Sequence, residues 1–248
     1  MSLVSIVIPT FNPPEQEDKI GRCLCACLDS VFRFTGHPSF QVVVVANGCT
    51  QKTSRVLDTY GSKVFTVWKK KGLGFARACN EGIQDFTSEY VLLLNDDVEI
   101  LPHYPGNWLD RLLYPMADRT VGIVGPHSLV SPETGNEFIV GFCMLVRRKV
   151  FQQTGLLDEG LMLGYGEDID LCERARIFGW KIQKIGNSQQ SGNLWSGDFP
   201  IYHQGEATLD QIEGAKALGL INSKIVADRK RAGYYSLPFY QAETVPML

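Results

Sequence analysis

Four short strand-like segments that alternate with helix-like segments constrain the fold of this chain more than any other feature. The predicted strands are Val4–Pro9, Gln41–Ala46, Lys63–Trp68 and Tyr90–Leu94. The predicted helices between them, where apolar residues recur about once per turn, are Lys19–Phe34, Thr50–Tyr60 and Phe75–Phe86. Strands that are apolar on both faces and alternate with helices predict an α/β fold, with a mainly parallel central sheet flanked by helices.

The alternation becomes less regular after residue 97. Further helices are predicted at Trp108–Ala117, Gly166–Phe178 and Thr208–Gly233. Further strands are predicted at Val121–Val124, Phe138–Val146 and Lys181–Ile185. The segment Asn187–Phe199 is rich in Ser, Gly, Asn and Gln, which predicts an exposed, mobile loop.

Composition excludes several classes of protein. Of the 248 residues, 44% are hydrophobic and 21% are charged, which excludes a disordered chain, a collagen-like repeat and a coiled coil. The formal net charge of −3 argues against a nucleic-acid partner. The longest aliphatic runs, Val42–Val45 and Val91–Leu94, are far shorter than the roughly 18 residues that span a bilayer.

The cysteines indicate a reduced protein. There are seven, which is an odd number, and the chain is neither small nor cysteine-dense, unlike a disulfide-stabilised secreted domain. No signal peptide precedes the first strand, so a cytoplasmic protein is expected. Cys23, Cys25 and Cys27 are spaced C-x-C-x-C rather than as the C-x-x-C pairs of zinc sites, and we interpret them as small buried residues of a helix.

Acidic residues directly follow the fourth predicted strand. Parallel sheets bind ligands at the carboxyl ends of their strands, so Asn95-Asp96-Asp97 lies where a ligand is expected. Adjacent carboxylates repel each other, but they suit Mg²⁺ or Mn²⁺, which binds carboxylate oxygens and leaves sites for phosphate oxygens. A polar turn after a core strand is the alternative interpretation.

A second acidic group opens the helix predicted at Gly166. Glu167, Asp168 and Asp170 crowd its first turn, where acids favourably interact with the helix dipole. Three acids exceed what capping needs, and a carboxylate in a cleft can act as a general base.

Two further segments carry groups suited to an anionic ligand. The sequence from Lys69 to Arg77 follows a strand, opens a helix, and half matches the dinucleotide pattern G-x-G-x-x-G, with Arg77 in place of the third glycine. His203 follows the polar segment Asn187–Phe199, and with the distant carboxylates it fits one metal–diphosphate site. A solvated turn and a structural histidine are the simpler interpretations.

In order along the chain, these segments resemble glycosyltransferase family 2. Val4–Asn12 resembles that family's opening V-S-I-V-I-P-T-Y-N, and Gly74–Gly82 resembles its N-x-G-F-A-x-A-x-N-x-G. Leu93–Asp97 resembles its L-L-N-x-D metal motif. The segments that resemble its acceptor-side block are Gly141–Leu145, Gly155, Leu157–Asp158, Glu167–Leu171 and Gly179–Trp180. The resemblance covers roughly residues 4–208, and His203 fits the family's later histidine.

The resemblance implies a GT-A fold and a rhamnosyltransferase-like enzyme. It implies transfer of a sugar from a nucleoside diphosphate donor, with inversion, to a sugar or lipid-linked acceptor. Asp97 would coordinate Mg²⁺ or Mn²⁺ and His203 would touch the metal or the diphosphate, while Asp168 would be the general base, with Glu167 and Asp170 orienting it or the acceptor. The residues expected to contact the nucleotide sugar are Pro9, Thr10, Asn12, Asn47, Gly74, Arg77, Asn95 and Asp96.

The expected organisation is a single domain over residues 1–248. Residues 1–100 form its nucleotide-binding half, 101–207 its acceptor-side half, and 208–248 a C-terminal helix and tail. Polysaccharide or glycolipid biosynthesis in the cytoplasm is the expected role. Lys224, Arg229, Lys230 and Arg231, followed by aromatic residues, suggest peripheral contact with the inner membrane face, although a helix end with favourable cations explains them more simply.

The chain departs from the family pattern at two places. Ala46 stands where the family has an Asp that contacts the nucleotide base, and Cys49 replaces a serine in the same loop. Gly72 stands where an asparagine is usual, before Leu73. Asn47 is the expected substitute for the missing hydrogen bond. Ala46 keeps open a non-catalytic ligand-binding protein of the same fold. The glycine-rich segment keeps open an NAD-dependent oxidoreductase that uses Gly72–Arg77, with Asp96 or Asp97 near the ribose.

Overall fold

The computed structural model describes residues 2–14, 17–102, 107–161, 163–191, 194–205 and 214–236. The strands are β1 (Val4–Thr10), β2 (Phe40–Asn47), β3 (Val64–Lys69), β4 (Tyr90–Leu94), β5 (Val98–Ile100), β6 (Val121–Gly125), β7 (Ser128–Val130), β8 (Glu137–Ile139), β9 (Cys143–Arg147), β10 (Lys181–Lys184), β11 (Ser188–Ser191), β12 (Leu194–Gly197) and β13 (Ile201–His203). The α-helices are α1 (Glu17–Phe34), α2 (Gln51–Tyr60), α3 (Phe75–Gln84), α4 (Trp108–Leu113), α5 (Arg148–Thr154), α6 (Glu167–Ile177) and α7 (Ala215–Arg231).

A seven-stranded sheet with the order β10-β6-β9-β4-β1-β2-β3 forms the centre of the fold. β1 pairs in parallel with β2 and with β4, and β2 pairs in parallel with β3. β9 runs antiparallel to its neighbours β4 and β6. The predicted mainly parallel sheet is therefore confirmed, and the carboxyl ends of β1, β2, β4 and β6 lie at one edge.

Alternate side chains of the central strands enter two separate cores. Val42 and Val44 belong to the core beneath α1, while Val43 and Val45 belong to the core beneath α3 and α6. All four are fully buried, so β2 is apolar on both faces, as a strand in a doubly covered sheet must be. None of the helices in the described residues is long and apolar enough to cross a membrane.

Two predictions of local structure were wrong. The strand predicted at Phe138–Val146 is two strands, β8 and β9, and the interruption includes Gly141, whose backbone N–H binds a side chain of α6 instead of continuing a ladder. The loop predicted at Asn187–Phe199 contains the hairpin β11–β12, and β12 extends a four-stranded sheet with β13 and β5. Pairing with distant strands stabilises segments whose composition alone indicates a loop.

The remaining differences concern element ends and short elements. The helix predicted at Trp108–Ala117 is α-helical to Leu113 and continues as a 3₁₀-helix over Tyr114–Ala117, where Pro115 removes a backbone donor. The helix predicted at Thr208–Gly233 is α7, and residues 208–213 lie outside the described residues. β5, β7, β13 and α5 were not predicted. All seven cysteines are free thiols. Within α1, Cys27 is buried as expected, whereas Cys23 and Cys25 are only partly buried.

Candidate functional site

The carboxyl ends of β1 and β4 bring two predicted donor-site residues into contact. The Thr10 hydroxyl donates a hydrogen bond of 2.6 Å to Oδ2 of Asp96. Burial raises the pKa of Asp96 to about 7, and the charge of Asp97 adds to the rise while the hydrogen bond from Thr10 opposes it. Asn12 donates to Oγ1 of Thr53 at 2.8 Å, and its own Oδ1 is buried without a hydrogen-bond partner among the described residues. Pro9 lies beside them at the end of β1.

Asp97 and His203 form a buried pair at the same edge. Nε2 of His203 lies 3.1 Å from Oδ1 of Asp97, and both side chains are less than 10% exposed. The pair forms because β13 runs antiparallel to β5, with His203 opposite Val98, the residue after Asp97. The imidazole also stacks on Phe142, with ring centroids 4.0 Å apart. The sequence-based grouping of Asp97 with His203 agrees with this geometry.

His127 is a site residue that sequence reasoning missed. It lies two residues after β6 and is 1% exposed. Its ring centroid lies 5.0 Å from that of Phe142, the residue that also stacks on His203. Burial lowers the pKa of His127 to about 4, and the charges of His203 and Lys184 contribute. The signal was available, because His127 follows a buried strand in the same way as Asp96 and Asp97 follow β4.

The chemistry of this edge fits a hard divalent cation that is shared with a substrate. Asp97 and His203 provide a carboxylate and an imidazole, and the nearby Oδ1 of Asn95 is buried without a hydrogen-bond partner in the part of the chain that the structure describes. The described residues contain no cluster of three or more His, Cys, Asp or Glu side chains able to hold a metal by themselves. Mg²⁺ and similar ions are commonly held by only one or two protein carboxylates together with phosphate oxygens and water.

A different element presents Asp168 to the same region. α6 begins at Glu167, after Gly166 in a left-handed conformation (φ 95°). Oδ2 of Asp168 accepts a hydrogen bond of 3.0 Å from the backbone N–H of Gly141, and Oδ1 accepts one of 2.8 Å from Ile169. Gly141 precedes Phe142, the residue that stacks on His203, so adjacent residues hold the two parts of the site together.

The environment of Asp168 favours its neutral form more than water does. Desolvation raises the pKa of Asp168 above its ordinary value of 3.8, and the charge of Glu133 adds to the rise, whereas the backbone hydrogen bonds from Gly141 and Ile169 oppose it. The residue remains partly exposed, so a substrate hydroxyl can reach it. A partly exposed carboxylate with a raised pKa is suited to accept a proton near neutral pH.

Glu167 is buried beside Asp168 and carries a large electrostatic cost. It is 6% exposed, and its Oε2 has no hydrogen-bond partner within the described ranges. Burial raises the pKa of Glu167 above its ordinary value of 4.5, and the charges of Asp168 and Asp170 raise it further. The folded state therefore binds this proton more tightly than the unfolded chain does.

We expect the Glu167→Gln variant to be more thermostable than the unmodified protein at pH 8 and nearly equal to it at pH 5. Because the pKa of Glu167 is raised by folding, its contribution to stability is complete below pH 4.5 and is lost as the pH rises through the folded-state pKa. A neutral amide removes that loss. Thermal unfolding at the two pH values measures the effect, with the exposed Glu99→Gln as control; a shift in Tm that is equal at both pH values contradicts the prediction.

Asp170 is buried, and its carboxylate binds other side chains of the protein. It is 1% exposed, and Oδ2 accepts a hydrogen bond of 2.7 Å from Nε of Arg174. Oδ1 accepts hydrogen bonds from Nη1 of Arg229 at 3.0 Å and from the hydroxyl of Tyr235 at 2.9 Å. These three partners occupy both carboxylate oxygens. The expected role in orienting the base is thus available to Asp170 through the packing of α6, rather than through contact with an acceptor.

The side-chain amide of Asn47, which was expected to bind the nucleotide, is hydrogen-bonded to the backbone of the loop at Leu73 and Gly74. Its Oδ1 accepts a hydrogen bond of 2.7 Å from the backbone N–H of Leu73, and its Nδ2 donates to the carbonyl of Gly74 at 3.5 Å. A Cβ on Gly72 would lie 2.7 Å from the ring of Phe11, which explains why this chain carries glycine where the family pattern has asparagine. Ala46 is fully buried, and the Cys49 thiol donates to the carbonyl of Thr10.

Gly74 and Arg77 line a cavity of about 310 Å³. Gly74 adopts a φ of 85°, which lets the chain turn into α3. The opposite wall of the cavity includes Glu159, Leu161 and Leu218. Nε of Arg77 lies 3.4 Å from Oε2 of Glu159, and both side chains are about half exposed. The predicted glycine-rich segment therefore borders a ligand-sized space, with a cation at its rim.

Comparison with known proteins identifies similar sequences. The model of the family described as Glycosyl transferase family 2 matches residues 5–138. An uncharacterized glycosyltransferase of Rickettsia typhi is 27% identical over 192 residues, which cover 68% of this chain and 57% of that protein. An O-antigen biosynthesis protein of Myxococcus xanthus is 24% identical over 220 residues, which cover 72% of this chain and 16% of that protein. The chain thus spans less than two thirds of the length of these curated relatives.

Two solved structures share the architecture. A mannosyltransferase from Pyrobaculum calidifontis, in complex with GDP-mannose and Mn²⁺, has a TM-score of 0.65 at 18% identity, over 98% of this chain and 69% of the other. A GalNAc-T7 structure with UDP, GalNAc and Mn²⁺ has a TM-score of 0.58 at 16% identity, over 73% of this chain and 42% of the other. At these identities the likeness is one of fold, and the predicted GT-A architecture is confirmed.

Proposed function

Because this chain belongs to glycosyl transferase family 2, we propose that it transfers a sugar from a nucleoside diphosphate donor to an acceptor hydroxyl, with inversion at the anomeric carbon. The observation that carries the proposal is the joint placement of Asp168 and His203 by the adjacent residues Gly141 and Phe142. A group able to accept a proton and a group able to face a diphosphate are thereby held in one region.

The reaction divides between these two groups. Asp168 takes the proton of the acceptor hydroxyl as its oxygen bonds to the anomeric carbon, and the bond from that carbon to the diphosphate oxygen breaks with its electron pair leaving on the nucleoside diphosphate. Asp97 and His203 would hold a divalent cation, Mg²⁺ or Mn²⁺, which would offset the charge of the diphosphate. Pro9, Thr10 and Asn12 line the nucleoside side, and the unpartnered Oδ1 of Asn12 is available as an acceptor there.

The donor nucleotide is best identified by binding. We expect calorimetry with UDP, GDP and dTDP to detect binding of at least one of them in the presence of Mn²⁺ and much weaker binding without it. The reason is that Asp97 and His203 supply too few ligands to bind a metal or a diphosphate by themselves. Failure of all three to bind contradicts the proposal. Tight binding of NAD without a metal would instead support the oxidoreductase hypothesis.

A non-catalytic binding protein is the second candidate, and Ala46 favours it. This position carries no carboxylate, and Asn47 uses its side-chain oxygen within the protein, so the base of the nucleotide loses a predicted partner. Hydrolysis of a donor sugar by the purified protein distinguishes the two, since a protein that only binds does not release nucleoside diphosphate.

The cellular role is proposed from the relatives. The similarity to an O-antigen biosynthesis protein supports a role in polysaccharide or glycolipid biosynthesis, and the rhamnosyltransferase-like grouping and a cytoplasmic location are part of this proposal. The acceptor is proposed to be a sugar or a lipid-linked sugar. Of the basic residues considered for membrane contact, Arg229 and Lys230 pair with acidic side chains of the protein itself, which reduces the free basic surface of α7.

A further inference from the structure

One face of α7 lies against the segment that leads into α6. Gly219, Asn222, Val226 and Arg229 are spaced three, four and three residues apart, so they share a helix face. A Cβ on Gly219 would lie 3.0 Å from the ring of Tyr165, and a Cβ on Gly166 would lie 3.4 Å from the side chain of Val226. This face of α7 therefore touches the residues immediately before the proposed base.

The segment held by α7 contains unusual backbone conformations. Leu163 and Tyr165 have φ values of 63° and 72°, in the left-handed region that non-glycine residues seldom occupy. Such conformations persist only where the surrounding structure imposes them. Asn222, which is fully buried, donates from Nδ2 to the carbonyl of Gly164 at 2.8 Å and to that of Tyr165 at 3.1 Å. A side chain of α7 thus supports the backbone at these residues.

Arg229 joins the two ends of the same segment. Its Nη1 donates to Asp170, on α6, and its Nη2 donates to Asp158, which precedes the segment. Asp158 also accepts a hydrogen bond of 2.8 Å from the backbone N–H of Gly160. One guanidinium group, with its rigid fork of donors, therefore fixes the distance between Asp158 and Asp170. Glu167 and Asp168 lie between these two anchors.

We propose that Arg229 and Asn222 are positioning residues for Asp168, and that α7 acts as a clamp on the segment from Asp158 to Asp170. This inference rests on the proposed function, since it gives Asp168 the role of base. Neither residue touches the reacting atoms. They act by holding the turn that directs the start of α6 toward Gly141.

The test compares Arg229→Gln with Arg231→Gln. Arg231 is a matched control because it lies on the same helix, is 70% exposed and pairs with Asp228, one turn away. Three quantities are measured: release of nucleoside diphosphate from the sugar donor in Mn²⁺, affinity for that nucleoside diphosphate, and amide hydrogen exchange over residues 159–168. We expect Arg229→Gln to lower the rate by about 10- to 100-fold, because a misplaced catalytic group costs about that much, and to leave the affinity within about threefold.

Hydrogen exchange and a second variant separate positioning from general destabilisation. Exchange over residues 159–168 is expected to accelerate in Arg229→Gln but not in Arg231→Gln. Asn222→Ala, which leaves the Asp158–Arg229–Asp170 contacts in place, is expected to show the same loss of rate with retained affinity. Equal effects of the two arginine variants overturn the inference, as does faster exchange in Arg229→Gln with an unchanged rate.

The test also distinguishes this inference from the proposed function. If the unmodified protein neither binds nor hydrolyses any of the UDP, GDP and dTDP sugars, the proposed function fails. In that case the hydrogen-exchange comparison still decides whether α7 holds residues 159–168. Equal protection of these residues in Arg229→Gln and Arg231→Gln overturns the proposal that α7 acts as a clamp.

Discussion

Asp168→Asn is expected to lose sugar transfer by about 10²- to 10⁴-fold, the usual contribution of a general base. The amide is nearly the same size as the carboxylate, and its oxygen can still accept the hydrogen bond from Gly141, while the bond that Ile169 donates to the other oxygen is lost. The donor site is built from other residues and is retained. What it cannot do is accept the proton of the acceptor hydroxyl. Affinity for the nucleoside diphosphate with Mn²⁺ should therefore match that of the unmodified protein.

The pH dependence of the rate provides a second readout of the same change. The protein environment raises the pKa of Asp168 above its ordinary value of 3.8. The unmodified protein should therefore lose activity as the pH falls through this raised pKa, because the base becomes protonated. In Asp168→Asn the residual rate should lack this dependence. The control is Asp58→Asn, which changes an exposed aspartate of α2. Equal loss of transfer and of donor binding in Asp168→Asn would show that the assignment of the base is wrong.

Asp97→Asn is expected to weaken Mn²⁺-dependent binding of the nucleoside diphosphate by at least about 100-fold. Changes to groups that merely support a metal ligand cost about 10- to 100-fold in affinity, and Asp97 is proposed as a ligand itself. The substitution keeps the shape of the side chain but removes the charge that faces His203. Calorimetry with and without Mn²⁺ measures the loss.

The informative comparison for Asp97 is between metal-dependent and metal-independent binding. Weak binding that persists without Mn²⁺ should be the same in Asp97→Asn, in Asp58→Asn and in the unmodified protein, because Thr10 and Asn12 are unchanged. If Asp97→Asn binds the nucleoside diphosphate and Mn²⁺ as tightly as Asp58→Asn does, then Asp97 does not hold the cation. A large fall in Tm would instead mean that the Asp97–His203 pair serves mainly the fold.

Predictions from local patterns succeeded where the physical cause is itself local. The aliphatic segments at β1, β2 and β4 are confirmed because a strand buried on both faces must be apolar at every position, and this is visible in the residues themselves. The grouping of Asp97 with His203 was implied by the resemblance, and their contact depends on the pairing of β13 with β5. The interruption at Gly141 and the hairpin β11–β12 were missed because they depend on partners far away in the sequence.

The same reasoning applies to residues whose side chains have partners within the protein that the sequence did not indicate. Asn47 and Asp170 have the right chemistry and lie near the right segments, yet their side chains bind Leu73, Arg174 and Arg229. Sequence spacing gives the position of a side chain along an element but not its rotamer or its partner. His127 was overlooked for a different reason. It follows the buried strand β6 as Asp96 follows β4, so its position in the sequence already indicated a site residue.

The sequence by itself determined that this chain forms an α/β fold and that acidic and amide side chains follow its buried strands, because hydrophobic periodicity and residue chemistry are properties of short segments. Only the tertiary structure decided which of those side chains face the cleft. That choice depends on contacts between distant segments: β13 on β5 brings His203 to Asp97, Gly141 binds Asp168, and α7 turns Asp170 toward Arg229. Long-range packing therefore leaves the proposed base Asp168 partly exposed while its acidic neighbours Glu167 and Asp170 are buried.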